Sequence, residues 1–138
     1  MGKKLGSTLR SFTEFQSVDL IVPIPLHWKR KNVRGYNQAD LIAKGIGSIL
    51  GISCDYTLLS RKRYTSTQTR MDRFSRMNNL KGCYTVRKNI PEEVEHILLV
   101  DDVFTTGFTL EEAYLCLMKS SKRALKISMA TLAIADFS

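Results

Sequence analysis

The segment Ile97-Leu98-Leu99-Val100-Asp101-Asp102-Val103-Phe104-Thr105-Thr106-Gly107-Phe108-Thr109 constrains this chain more than any other stretch. Four consecutive apolar residues, Ile97 to Val100, read as a strand of a parallel sheet buried on both faces. Asp101 and Asp102 then fall at its carboxyl end, the edge at which open α/β sheets bind ligands. A small, hydroxyl-rich turn of Thr105, Thr106, Gly107 and Thr109 follows, and a helical pattern starts directly after it. The order is strand, acidic pair, small loop, helix.

A turn whose backbone N–H groups converge in front of a helix N-terminus is a ready anion site. Gly107 can take positive φ there and lacks the Cβ that would keep a phosphate off the backbone. The three threonines add hydroxyl donors. Thr109 with Glu112 also predicts a capping box at the helix start, which competes with the anion for Thr109. The adjacent carboxylates suit another partner: they can accept hydrogen bonds from vicinal hydroxyls, or hold a hydrated Mg²⁺. Side chains alternate along a strand, so both can reach one ligand only where the strand is ending. An isolated Asp-Asp is more often a solvated turn, and the surrounding context favours a site. No spaced glycine precedes a Gly-Lys-Ser/Thr, which argues against a Walker-type nucleoside triphosphatase.

At 138 residues the chain is expected to form one domain, residues 1–138, with a sizeable core. No apolar run approaches the roughly 18 residues of a membrane span. The N-terminus lacks the apolar core of a signal peptide, and Gly6 stands where a myristoylation start has Ser or Thr. A cytoplasmic location is the default expectation. Cys54, Cys83 and Cys116 form no Cys-x-x-Cys pair, so they read as reduced, partly buried thiols and not as zinc ligands or a redox pair. The net charge of +8 allows a nucleic-acid partner without requiring one. Much of the excess falls in 29–34 and 61–76, where it could equally face a polyphosphorylated small ligand.

Residues 1–17 are weakly patterned, with a partial helix through Leu5, Leu9 and Phe12. Val18 to Ile24 predicts a first buried strand, stopped by Pro23 and Pro25. A helix is expected from Asn37, a suitable N-cap, to Leu50, with Gly51 as its stop. Its apolar positions Leu41, Ile42, Ile46, Ile49 and Leu50 recur at helical spacing. Short strands are expected at Tyr56–Leu59 and Gly82–Val86, around a long polar connection, Ser60 to Leu80, of the kind that is usually functional or disordered. The central strand begins near His96, the helix after it spans about Leu110 to Lys119, and Lys126 to Ala135 forms the last strand. Strands alternating with helices predict an α/β fold with a doubly wound, mainly parallel sheet and helices on both faces.

Two further blocks accompany the central one. The first is Val22-Pro23-Ile24-Pro25-Leu26-His27 with Arg34-Gly35-Tyr36-Asn37-Gln38-Ala39. The second is Arg61-x-Arg63-x-Thr65-x-x-Gln68 with Arg76, Asn79 and Gly82. Together with the acidic-pair motif they resemble the ComF family of type I phosphoribosyltransferase-like proteins in residues, order and spacing, over most of 18–110. Members of that family typically begin with a four-cysteine zinc module and a short basic helix, and neither pattern is found in residues 1–138.

The resemblance implies the type I phosphoribosyltransferase fold with a minimal hood, and transfer at the anomeric carbon of phosphoribosyl pyrophosphate (PRPP) to or from a nitrogen acceptor, with Mg²⁺. It implies that Asp101 and Asp102 hold the ribose hydroxyls and, directly or through water, the metal. Thr105, Thr106, Gly107, Phe108 and Thr109 would hold the 5′-phosphate. Leu26, His27, Arg30, Arg34 and Gln68 would lie on the pyrophosphate side. Arg76, in the basic stretch 61–76 that would close over the site, would join the acidic pair in catalysis. Read without the resemblance, His27 is more often a packing or turn residue than a base. Arg34 could clamp a phosphate or simply pair with Asp40. Tyr36 and Phe104 are expected to pack, and Trp28 to lie at the surface. The rival expectation is a module that binds PRPP or a nucleotide without chemistry, acting in DNA uptake or regulation. A homo-oligomer is compatible with either.

Overall fold

The computed structural model describes residues 1–26, 35–62 and 82–135. Its centre is a three-stranded parallel sheet. Strand β1 (Leu20–Pro23) pairs with β4 (His96–Phe104), and β4 pairs with β5 (Lys126–Ile134), so β4 is the middle strand. A single parallel bridge from Ile21 to Cys54 extends the sheet beyond β1. A separate antiparallel pair, β2 (Leu59–Arg61) with β3 (Tyr84–Val86), stands beside it. Among the described residues the helices are α1 (Gly2–Arg10), α2 (Gln38–Leu50) and α3 (Phe108–Ser120), with a 3₁₀ turn at Thr13–Phe15.

The apolar run of β4 is buried on both faces, as its lack of alternation predicted. Ile97 and Leu99 join Leu20, Val22, Leu110, Ala113, Leu117 and Tyr84 in a core beneath α3. Leu98 and Val100 join Ile21, Ile42, Ala43 and Ile46 in a second core beneath α2, with Leu9 of α1. Helices therefore cover both faces, the doubly wound arrangement expected.

Asn37 caps α2 as anticipated, its Oδ1 accepting from Ala39 N–H at 3.1 Å, and Gly51 ends the helix in the left-handed region at φ 69°. Leu41 does not share the buried stripe: it is 56% exposed, and Ala39 and Ala43 complete the inner face instead. The short strands lie later than expected, at 59–61 and 84–86, and they pair with each other. The three cysteines are free thiols, Cys83 buried and the other two half-buried. Among the described residues no helix is long and apolar enough to cross a membrane.

Candidate functional site

The carboxyl edge of the parallel sheet gathers the ends of β1 and β4 and the starts of α2 and α3. Asn37, only 6% exposed, ties two of these together. Its Nδ2 donates to the Ile24 carbonyl at 3.0 Å and to Asp40 Oδ1 at 3.1 Å while its Oδ1 caps α2. Ile24 N–H in turn donates to the Val100 carbonyl at 2.8 Å. The chain leaving β1, including half-buried Leu26, is thereby fixed beside the acidic pair of β4.

The strand does not end before that pair. It continues through Phe104, with Asp101 opposite Thr131 and Val103 opposite Ala133 of β5. Each aspartate is held by the backbone of the residue that follows it. Asp101 Oδ1 accepts from Asp102 N–H at 2.8 Å, and Asp102 Oδ1 accepts from Val103 N–H at 2.9 Å. Burial first, and then the neighbouring Asp102 carboxyl, push the Asp101 carboxyl up to about 7.

Beyond β4, Thr105 and Thr106 are exposed and Gly107, Phe108 and Thr109 half-exposed. Gly107 takes φ 83°, and a Cβ there would sit 3.0 Å from the Phe104 ring. It is the N-cap of α3, with its carbonyl accepting from Glu111 N–H at 2.9 Å. The capping box expected from Thr109 and Glu112 is not formed. The helix starts two residues earlier, and Glu112 turns outward to accept from Gly82 N–H at 2.9 Å. Thr109 is left in the first turn, whose N–H groups have no partner within the helix. A long 3.5 Å approach of Phe108 N–H to Thr106 Oγ1 is the nearest substitute for a cap. The loop thus presents backbone donors and two exposed threonine hydroxyls at the positive end of a helix.

Phe104 and Tyr36 do not pack inside, being 37% and 48% exposed. Phe104 instead lines a groove of about 500 Å³ beside the loop, with Thr106, Gly107, Tyr114 and Met129. Of the other predicted site residues, His27, Arg30, Arg34, Gln68 and Arg76 lie outside the described residues, as do Trp28 and the contact proposed between Arg34 and Asp40. The sequence reading missed the second task of Asn37, for which only its place after Gly35-Tyr36 was a cue, and it missed Tyr84, which lies in the core beneath α3. Among the described residues no three His, Cys, Asp or Glu side chains gather as a metal cage. A pair of adjacent carboxylates does suit a cation held mostly by its ligand and water.

An open parallel sheet with helices on both faces and a strand–acid–loop–helix site at its carboxyl edge defines the type I phosphoribosyltransferase fold. Solved structures agree. A purine phosphoribosyltransferase from Pyrococcus horikoshii superposes with a TM-score of 0.58 at 20% identity, over 96% of this chain and 70% of that one. A hypoxanthine phosphoribosyltransferase from Staphylococcus aureus gives 0.53 at 17% identity, over 99% and 66%. No protein-family model matches the sequence, but individual relatives do. The DNA utilization protein YhgH of Salmonella typhimurium is 34% identical over 118 residues, 86% of this chain and 51% of the relative. Competence protein F of Haemophilus influenzae is 34% identical over 110 residues, 79% and 48%. Competence protein ComFC of Bacillus subtilis is 34% identical over 105 residues, 76% and 40%. The chain belongs to the ComF family of type I phosphoribosyltransferase-like proteins, and it spans about half the length of the curated relatives it matches.

Proposed function

We propose that this chain binds PRPP with Mg²⁺ at the carboxyl edge of its sheet and transfers the phosphoribosyl group to or from a nitrogen acceptor. The observation that carries the reading is the juxtaposition of the Asp101–Asp102 pair with the donor-lined start of α3 in one continuous segment. In this reading the two carboxyl groups take the ribose hydroxyls. The backbone of residues 105–109 and the Thr105 and Thr106 hydroxyls take the 5′-phosphate, with Gly107 letting it approach the main chain. Asp101 and Asp102 would also hold a hydrated Mg²⁺, whose charge would offset the negative charge developing on a departing pyrophosphate. Arg76, Gln68, His27, Arg30 and Arg34 enter through their sequence blocks alone, as donors and cations for the pyrophosphate side. The chemistry needs no protein nucleophile, and the described site offers none.

Calorimetric titration of the chain with PRPP and Mg²⁺ tests this. Binding is expected for the wild type and is expected to vanish in the double variant Asp101→Asn, Asp102→Asn. Unchanged affinity in that variant would place the ligand elsewhere. The names of the relatives favour a second reading, a PRPP- or nucleotide-binding module without chemistry that serves DNA uptake or use. Release of pyrophosphate across a panel of amines and nucleobases separates the two. The enzyme reading expects release with at least one acceptor, and the module reading expects binding without release.

A further inference from the structure

Tyr84 of β3 is 4% exposed and packs with Ile97, Leu99, Leu110 and Ala113 in the core beneath α3. Its ring accounts for its burial, but its hydroxyl does not. That oxygen is sealed from solvent and has no hydrogen-bond partner among the described residues. An unpaired buried polar group costs about 1–3 kcal/mol, and phenylalanine would fill the same space without that cost. An orphan hydroxyl in a native core calls for an explanation.

Its surroundings supply one. Ile97 and Leu99 face this core, and the strand's period of two carries the next residue on that face to Asp101. The phenol therefore sits under the face of β4 from which the Asp101 carboxyl projects. Tyr84 stays an O–H donor. Burial raises its pKa most, Arg61 opposes, and Cys83, Asp101 and Glu112 add to the rise. Asp101 Oδ1 accepts from Asp102 N–H, and the Tyr84 hydroxyl bonds to neither carboxyl oxygen of Asp101.

We propose that Tyr84 is a positioning residue for the candidate site, its hydroxyl donating to the Asp101 carboxylate once that group turns to a ribosyl diphosphate. The inference rests on the PRPP reading above. A hydrogen bond to the ionised carboxyl fixes its rotamer and offsets part of the cost of holding a charge where Asp101 is half-buried.

The test is calorimetric titration with PRPP and Mg²⁺ of the wild type, Tyr84→Phe, Asp101→Asn and the double variant, with a melting curve for each. Tyr84→Phe is expected to weaken binding about 10- to 150-fold, the range for a lost hydrogen bond to a charged group. Its melting temperature is expected to hold or rise, because an unpaired hydroxyl has been removed. In the Asp101→Asn background the same change is expected to have no further effect on affinity. Equal affinity for wild type and Tyr84→Phe overturns the role alone. So does a loss that persists in full beside Asp101→Asn, since it would come from packing. Absence of any wild-type binding overturns the PRPP reading and this role with it.

Discussion

Burial and the adjoining Asp102 both make the charged form of Asp101 costly, which pushes its carboxyl up to about 7 from an ordinary value of 3.8. A carboxyl raised in the folded state favours folding while it is protonated. That contribution is complete below about pH 4 and is lost as pH rises toward 7, because the unfolded chain gives up the proton first. Asparagine keeps the shape and the Oδ1 acceptor but never ionises. Asp101→Asn is therefore expected to melt close to wild type near pH 4 and above it at pH 8. The gap would be on the order of 2 kcal/mol once solvent screening is allowed for. Melting curves at pH 4, 6 and 8 check this, and a gap that fails to widen with pH, or that favours the wild type at pH 8, contradicts it. A substitution that stabilises the fold while weakening the site is the behaviour expected of a residue kept for function. The acidic pair was legible in the sequence because its spacing and context are specific. The orphan hydroxyl of Tyr84 was not, since partnerlessness is a property of three-dimensional surroundings.

The same division holds for elements. The central strand, its neighbour β5 and helix α2 were readable because each has a strong signal: an unbroken apolar run, or a helical stripe between Asn37 and Gly51. The antiparallel pair of β2 and β3 has three residues on each side, too few to show a period, and its two strands lie far apart in the sequence. Helix α1 was only half anticipated, because its docking rests on glycines rather than on an apolar stripe. Gly2 and Gly6 let its backbone lie directly on α2, where a Cβ on Gly45 would fall 2.6 Å from backbone atoms of Gly2 and Lys3. On an open helix face Gly→Ala gains about 1 kcal/mol. Here the clash is with backbone, which cannot rotate away, so the steric cost wins. Gly45→Ala is expected to destabilise the chain by about 1–3 kcal/mol by denaturant titration. Lys44→Ala, on the exposed side of the same helix, should stay within about 0.5 kcal/mol. A stabilised Gly45→Ala would mean that α1 is not seated on α2.

For the molecule as a whole, the question charge poses is which anion it serves. The +8 excess is concentrated in 29–34 and 61–76, the stretches that flank the site blocks in the sequence. The relatives are named for DNA utilization and competence, so a duplex or single strand competes with a sugar diphosphate as the partner of those cations. Binding through phosphates alone releases counterions and carries no sequence information. If the cations serve the candidate site, DNA retention should be weak and indifferent to sequence, and should fall at least tenfold between about 50 and 200 mM salt. Saturating PRPP with Mg²⁺ should displace what remains at low salt, because both anions would draw on one set of donors. Fluorescence anisotropy of a labelled oligonucleotide, titrated with salt and then with PRPP, reads both effects. Sequence-selective retention at high salt that PRPP leaves untouched would instead assign the basic excess to nucleic acid, and the carboxyl edge of the sheet would then account for the acidic pair and the threonine loop alone.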